Sequence, residues 1–368
     1  MRLFLISIAA GCALATLSGV ADANAQQFLI EQIRVPAAGA GRAGLEGIFV
    51  RPAEPGRYPL ALINHGSPRS PKARPGMTPM QLLPQATEFA RRGWAAAAVL
   101  RRGYGHSGGP WAEDYHGCAN ADYYDAGLAS AADLAGIVSE LGKRPDVDAT
   151  RVVSVGVSAG GFATVALTAD PPAGLRAAIS FAGGRGSLTP DTVCSEAKLI
   201  DAFRKYGKRS RIPMLWVYAQ NDHFFGPRLA EKFKDVFAAG GGNVEFVAPP
   251  PFGKDGHTLF PAGIPEWTPI VDDFFSRHGL KLRQVLLPLP ELPKIPPPAA
   301  LSQNGRDVFQ KYLSGAPHKA FAVSSAGHYG YMISRRTIEE AQFAALKFCR
   351  EHAKDCYLYS VDGALAPK

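Results

Sequence analysis

Between residues 58 and 279 the chain alternates two kinds of pattern. Short runs that are apolar at nearly every position are YPLALIN (58–64), WAAAAVL (94–100), RVVSVGV (151–157), LRAAISFA (175–182), IPMLWVYA (212–219) and NVEFVA (243–248). Apolar toward both faces, they predict strands covered on both sides, as in a parallel sheet. The stretches between them carry apolar residues at three- and four-residue spacing and predict helices over about 80–92, 122–141, 160–169 and 227–239, with a loop and helix across 183–210. A helix over 265–279 closes the series. Strand–helix alternation of this kind implies an α/β protein, a mostly parallel sheet with helices on both faces.

The pattern then breaks. LLPLPELPKIPPPAA (286–300) is crowded with prolines, which lack the N–H that a helix interior or a central strand needs. It reads as an extended linker or surface strap, assigned to residues 284–316. Beyond it, KAFAVSS and HYGYMIS predict a hairpin, RRTIEEAQFAALKFCREHA (335–353) a helix, and CYLYSVDG (356–363) a last strand. Residues 317–368 are thus expected to form a small α+β (ββαβ) module appended to a main domain over residues 26–283.

At the other end, Arg2 precedes LFLISIAAGCALATL and small residues ending in Ala23-Asn24-Ala25. A basic start, a short apolar run and an A-x-A site predict a cleavable secretory signal over residues 1–25, and hence a periplasmic or extracellular protein. The run is too short for a comfortable transmembrane helix. The alternative, lipid attachment at Cys12, lacks the usual leucine three residues earlier, where Ala9 stands.

The 368 residues, 46% hydrophobic and 20% charged, can bury a large core. The net charge of +8 comes from short scattered basic groups without interleaved aromatics, a poor match to a nucleic-acid interface. Four cysteines remain after the leader, none at zinc-binding spacing, so no metal site is expected. Export makes two disulfides the expected use of an even number. Cys349 falls late in its helix and Cys356 at the start of the next strand, so a local bridge fits. That pairing leaves Cys118 and Cys194, which either bridge or remain buried thiols.

Gly-x-Ser-x-Gly occurs twice, at Gly105-His106-Ser107-Gly108-Gly109 and at Gly156-Val157-Ser158-Ala159-Gly160. A nucleophilic serine of this type needs a strand before it, a very tight turn at it and a helix after it. Ser158 meets all three. Ser107 does not, because Arg101 to Tyr104 separate it from its strand and Pro110-Trp111 follows. A serine hydroxyl then needs a base, and the base an orienting acid. Asp222, just beyond IPMLWVYA, is the candidate acid. His257, on the loop after NVEFVA, is the candidate base, with His328 in the appended module as its rival. The candidate oxyanion donors are the amides of Ala159 and of Ser67, the latter in the turn after YPLALIN.

NHGS (64–67), LRRGYGHSGG (100–109), VGVSAGG (155–161), AQND (219–222) and FGKDGH (252–257) together resemble the α/β-hydrolases, specifically the dienelactone hydrolase-like group, over residues 45–280. The resemblance implies an α/β-hydrolase fold and a Ser158–His257–Asp222 triad that needs no cofactor. It also implies a pocket bordered by residues 100–109, with Tyr104 and His65 as pocket candidates. Cys118 and Cys194 would lie on the same sheet edge as the triad, where a bridge would fix a pocket wall. The chain departs from the small cytosolic members in its leader, its serine nucleophile in place of cysteine, and its appended module. The leading expectation is an exported carboxylic-ester hydrolase acting on a small-molecule ester. The alternatives are a small serine peptidase resembling the prolyl oligopeptidase group, and a non-catalytic envelope binding protein on the same scaffold. Prolyl oligopeptidase-like enzymes usually gate access with a large N-terminal propeller, whereas only about twenty residues separate Gln26 from the hydrolase-like region that starts near residue 45.

Overall fold

Alternation within the apolar runs sorts their side chains onto two faces. The structure, a computed structural model, describes residues 27–367. The leader expected over residues 1–25, and Cys12 within it, lie outside those residues. In β3 (Tyr58–Asn64), Leu60 and Leu62 join one core, while Ala61 and Ile63 join another on the opposite face. Each fully buried Leu, Ile or Phe contributes roughly 1.5–3 kcal/mol, which is why a run this apolar becomes a central strand.

In chain order the strands of the large sheet begin with β1 (Phe28–Val35), β2 (Leu45–Pro52), β3, β4 (Ala95–Val99), β5 (Val147–Val157) and β6 (Leu175–Phe181). A two-stranded ribbon, β7 (Ser187–Thr189) and β8 (Thr192–Val193), stands outside it. The large sheet is completed by β9 (Met214–Val217) and β10 (Val244–Val247), in the order β1-β2-β4-β3-β5-β6-β9-β10. Pairing is antiparallel for β1–β2 and β2–β4 and parallel for the rest. The order reverses around β3 and β5, and the C-terminal ends of those two strands border the crevice where α/β sheets place their ligands.

Helices cover both faces. On one lie α2 (Tyr123–Leu141), α3 (Ala159–Leu167), α4 (Glu196–Arg209) and α5 (Pro227–Ala239), through Leu134, Phe162, Phe203 and Phe233. On the other lie α1 (Leu83–Arg91), the short α6 (Leu259–Ala262) and α7 (Ile264–Arg277), through Phe89, Phe260 and Trp267. The sequence expectation holds for each of these βα units; β3 keeps its expected bounds, β5 starts four residues earlier than expected, and the other strands are trimmed at their ends. The ribbon β7–β8 within 183–195 was not expected.

The expected linker is only half linker. The chain has no regular structure from Arg283 to Leu301, but Ser302 then caps α8 (Gln303–Ser314), accepting a hydrogen bond from the Gly305 amide. Phe309, Tyr312 and Leu313 of α8 pack on Phe321 and Val323, so this helix belongs to the module's core. The proline-rich run drew its neighbours into one assignment, although Phe309, Tyr312 and Leu313 already carry helical spacing. The module is completed by β11 (Ala320–Val323), β12 (Tyr329–Met332), α9 (Ile338–Arg350), β13 (Tyr357–Val361) and β14 (Ala364–Leu365), with sheet order β12-β11-β13-β14. Cys349 and Cys356 are bridged in it, with Cα atoms 6.0 Å apart.

Candidate active site

β5 runs directly into Ser158, which sits at φ +56° and ψ −123° and caps α3. A non-glycine residue rarely adopts positive φ, and here the surroundings enforce it. The Ser158 amide donates to Phe181 O at 2.9 Å, and Ser158 O accepts from the Phe162 and Gly184 amides. The flanking glycines are there for want of space. A Cβ on Gly156 would come within 2.2 Å of Gly160 O, and one on Gly160 within 2.3 Å of Asn64 O. The turn therefore thrusts Ser158 outward, and its side chain lines a cleft of about 290 Å³.

The loop after β9 presents Asp222, 2% exposed. Its Oδ1 accepts the Phe224 and Phe225 amides at 2.7 and 2.8 Å, and its Oδ2 accepts from His257 Nδ1 at 3.0 Å. A carboxylate on Nδ1 places the ring proton there and leaves Nε2 with its lone pair. Asp255 ties the His257 turn to the loop after β9, accepting the His257 and His223 amides on one oxygen. Phe224 lies flat on the His257 ring, centroids 3.8 Å apart and planes within 8°, and Phe225 meets it edge-on. The Arg69 guanidinium lies over Phe224 at 3.6 Å, so guanidinium, phenyl and imidazole form one stack. Phe224, Phe225 and Arg69 line the same cleft as Ser158. Ser158 Oγ and His257 Nε2 make no hydrogen bond to each other among the described residues; bonds of this kind commonly tighten only when substrate is bound.

Ser67 and Ala159 also line the cleft. As the first residue of α3, Ala159 carries an amide that the helix leaves unpaired. A Cβ on Gly66 would meet Ser158 Cβ at 3.1 Å, so the turn 64–67 lies directly against the serine. Behind this turn sits a buried network that the sequence did not announce. Arg101 and Arg185 both pair with Glu113, and all three are at most 4% exposed. Tyr104 OH contacts Glu113 Oε2 at 2.9 Å and Ser67 Oγ at 3.0 Å, and it accepts from Trp111 Nε1. Burial works against the Glu113 charge, but Arg101 and Arg185 outweigh it and hold the carboxyl far below the usual range.

His65 and Tyr104, expected at the pocket, are one layer behind its wall. Tyr104 is fully buried and His65 3% exposed, and neither lines the cleft. His65 Nδ1 donates to Gly66 O at 2.7 Å, and its Nε2 accepts the Arg101 amide at 3.0 Å. Burial, reinforced by Arg101, pushes this ring down to about 3. The physical reason is packing: the turn after β3 folds the ring inward beneath the backbone that faces the serine. Ser107 is structural as well, donating to Leu100 O and accepting the Glu46 amide. The rival His328 lies in the β11–β12 turn of the small sheet, near His352.

The cleft is also lined by Arg74, Trp111, Asp114, Tyr115 and Gly117 and by Arg185, Gly186 and Ser187. Cys118 and Cys194 are bridged, with Cα atoms 5.1 Å apart, directly beyond these two stretches. The bridge joins the Tyr115–Gly117 wall to the ribbon, whose tip residue Asp191 pairs with His223 at 3.0 Å. Among the described residues no group of three His, Cys, Asp or Glu side chains is placed to hold a metal ion, and no helix is long and apolar enough to cross a membrane.

Residues 84–185, from α1 to just beyond β6, match the prolyl oligopeptidase family. A comparison with curated protein sequences finds no match. Among solved structures, an acylaminoacyl peptidase from Pyrococcus horikoshii is 19% identical, with a TM-score of 0.50 over 72% of this chain and 43% of that one. A candidate dipeptidyl aminopeptidase IV from Bacteroides ovatus is 16% identical, with a TM-score of 0.51 over 69% of this chain and 36% of that one. The chain thus spans less than half the length of either peptidase. A candidate dienelactone hydrolase from Klebsiella pneumoniae is 17% identical, with a TM-score of 0.48 over 70% of this chain and 100% of that one. The chain therefore has the α/β-hydrolase fold, and the segment that matches the prolyl oligopeptidase family runs through the turn at Ser158.

Proposed function

We propose that the chain is an exported serine hydrolase that cleaves small carboxylic esters through Ser158, His257 and Asp222. The observation that carries this reading is the Asp222–His257 hydrogen bond, stacked through Phe224 onto the cleft that the left-handed Ser158 lines. In the proposed reaction Ser158 Oγ attacks the ester carbonyl carbon while His257 Nε2 takes the hydroxyl proton. Asp222 keeps the proton on Nδ1 and stabilises the imidazolium. The amides of Ala159 and Ser67 receive the oxyanion, each donor worth ~10²–10³ in rate. The proton passes from Nε2 to the departing alkoxide, and water, deprotonated by the same nitrogen, then releases the acid from Ser158. Export is supported by the leader-like N-terminus and by two cysteine bridges, which persist in oxidising compartments.

A second reading, peptide hydrolysis by the same groups, is favoured by the prolyl oligopeptidase-family segment. A panel of p-nitrophenyl esters set against peptide anilides separates the two. Fluorophosphonate labelling tests the site itself: the wild type and Ser107→Ala are expected to label and Ser158→Ala not. No labelling of the wild type would return the scaffold to a non-catalytic binding protein. Labelling that survives Ser158→Ala would assign the wrong serine.

A further inference from the structure

The appended module is the part of the chain to which the proposed reaction gives no task, yet it contacts the residues next to one wall of the cleft. Arg336, in the turn between β12 and α9, extends out of the module to Glu46 on β2, its Nε donating to Oε1 at 2.7 Å. Its Nη2 donates to Met77 O at 2.5 Å and lies 3.5 Å from Pro75 O. Both charged side chains are largely buried, at 12% and 9% exposed. Close by, the buried Thr78 hydroxyl donates to Ser334 O of the module at 2.6 Å. With the further Arg336 Nη2–Glu46 Oε2 bond at 3.3 Å, five hydrogen bonds between the module and residues 75–78 and Glu46 converge here.

At its C-terminal end Thr78 is buried and caps the largely buried turn Pro79–Leu82, but the turn leading into the segment has little packing of its own. The 3-10 turn Pro71–Gly76 buries none of its residues. It nevertheless carries Arg74, whose guanidinium lies 3.4 Å over the Trp111 ring, the two forming one wall of the cleft. Arg74 makes no side-chain hydrogen bond or ion pair among the described residues, and its Nε is buried without a partner. Its position is set through the backbone: Arg74 O accepts the amides of Met77 and Gly105. Trp111 in turn donates to Tyr104, which touches Ser67.

We propose that the appended module is the backing of the substrate cleft, with Arg336 as a positioning residue that pins residues 74–78 and so holds Arg74 against Trp111. The proposal rests on the cleft's being the hydrolase site. A guanidinium suits the task because its planar fork serves a carboxylate and main-chain carbonyls at once, which a lysine ammonium does not reproduce. The clamp touches no reacting atom, so its loss acts on substrates long enough to lean on the Arg74–Trp111 wall.

The test uses the full chain carrying Arg336→Lys or Thr78→Val, with Thr78→Ser as the conservative control. The other three tryptophans, Trp94, Trp216 and Trp267, are at most 1% exposed, so acrylamide quenching of intrinsic fluorescence reports on Trp111. Arg336→Lys and Thr78→Val are expected to raise the quenching constant about twofold and the KM for p-nitrophenyl octanoate about fivefold, with kcat for p-nitrophenyl acetate unchanged. Thr78→Ser is expected to match the wild type. Quenching and KM that stay at wild-type values in both variants would overturn the clamp, as would an equal loss of activity toward both esters. Should the wild type hydrolyse neither ester, the hydrolase reading fails alone, and the quenching constant still decides whether the module pins the wall.

Discussion

Two histidines near the cleft, His65 behind the turn against Ser158 and His257 stacked on Phe224, have opposite fates. His65 has both ring nitrogens occupied by backbone groups, Gly66 O on one side and the Arg101 amide on the other. His257 has one nitrogen on Asp222, and the other has no partner among the described residues. His65 is 3% exposed beneath a backbone turn, whereas the His257 side chain keeps 11% of its surface and stacks on a residue of the cleft. Nearby carboxylates do not tell them apart, since Glu113 lies close to His65 just as Asp222 touches His257. What separates a histidine that holds a turn from one that can move a proton is whether its second nitrogen is spent.

The sharpest way to break this contrast is to exchange the residues' consequences. If the proposed triad is right, Ser158→Ala or His257→Ala lowers kcat by ~10⁶-fold, and the double variant by no more than either, because triad members act as a unit. Asp222→Asn is expected to cost ~10⁴-fold, since an amide leaves the ring free to take the wrong tautomer. Steady-state ester hydrolysis measures all of these, and a His257→Ala enzyme retaining wild-type turnover would dissolve the distinction.

His65 should speak through stability instead. Above pH 6.5 its ring is neutral in folded and unfolded chains alike and adds no pH dependence. Between 6.5 and about 3 the unfolded chain binds a proton that the folded one refuses, so stability falls as acid is added. The slope is ~1.4 kcal/mol per pH unit, on the order of 5 kcal/mol across the window. In His65→Gln that contribution is expected to vanish, giving a flatter urea-unfolding profile over the same range. An unchanged profile would show that the ring is protonated in place.

The smaller tests refine the stack and the duplicate motif. Phe224→Leu removes the ring lying on His257 and is expected to lower kcat about three- to tenfold, the worth of one aromatic pair. A loss confined to KM would instead make Phe224 a substrate contact. Ser107→Ala is expected to cost about 1 kcal/mol in unfolding free energy, through its bonds to Leu100 O and the Glu46 amide, with turnover unchanged.

Features that rest on local chain geometry were readable before any coordinates. The turn at Ser158 was legible because strand, glycine spacing and helix are contiguous, and steric exclusion at Gly156 and Gly160 is the same in any context that pairs them so. Asp222 and His257 were legible as candidates because loops after strands fall at one edge of a parallel sheet. The Arg101–Glu113–Arg185 cluster was not, since Glu113 reads as one more loop acid until residues 12 positions before it and 72 after it close over it. Arg336 was hidden for the same reason, at 290 residues from the glutamate that holds it.

The order of apolar runs along the chain thus determined the class of sheet, the position of its sharpest turn and the residue types available at its edge. Only the tertiary structure decided which of those residues face solvent and which face each other. Short-range sterics and hydrophobic period are written in neighbouring residues, whereas burial and charge pairing depend on segments far apart in the chain. That is why His65, drawn from the sequence into the pocket, ends as part of the wall's foundation.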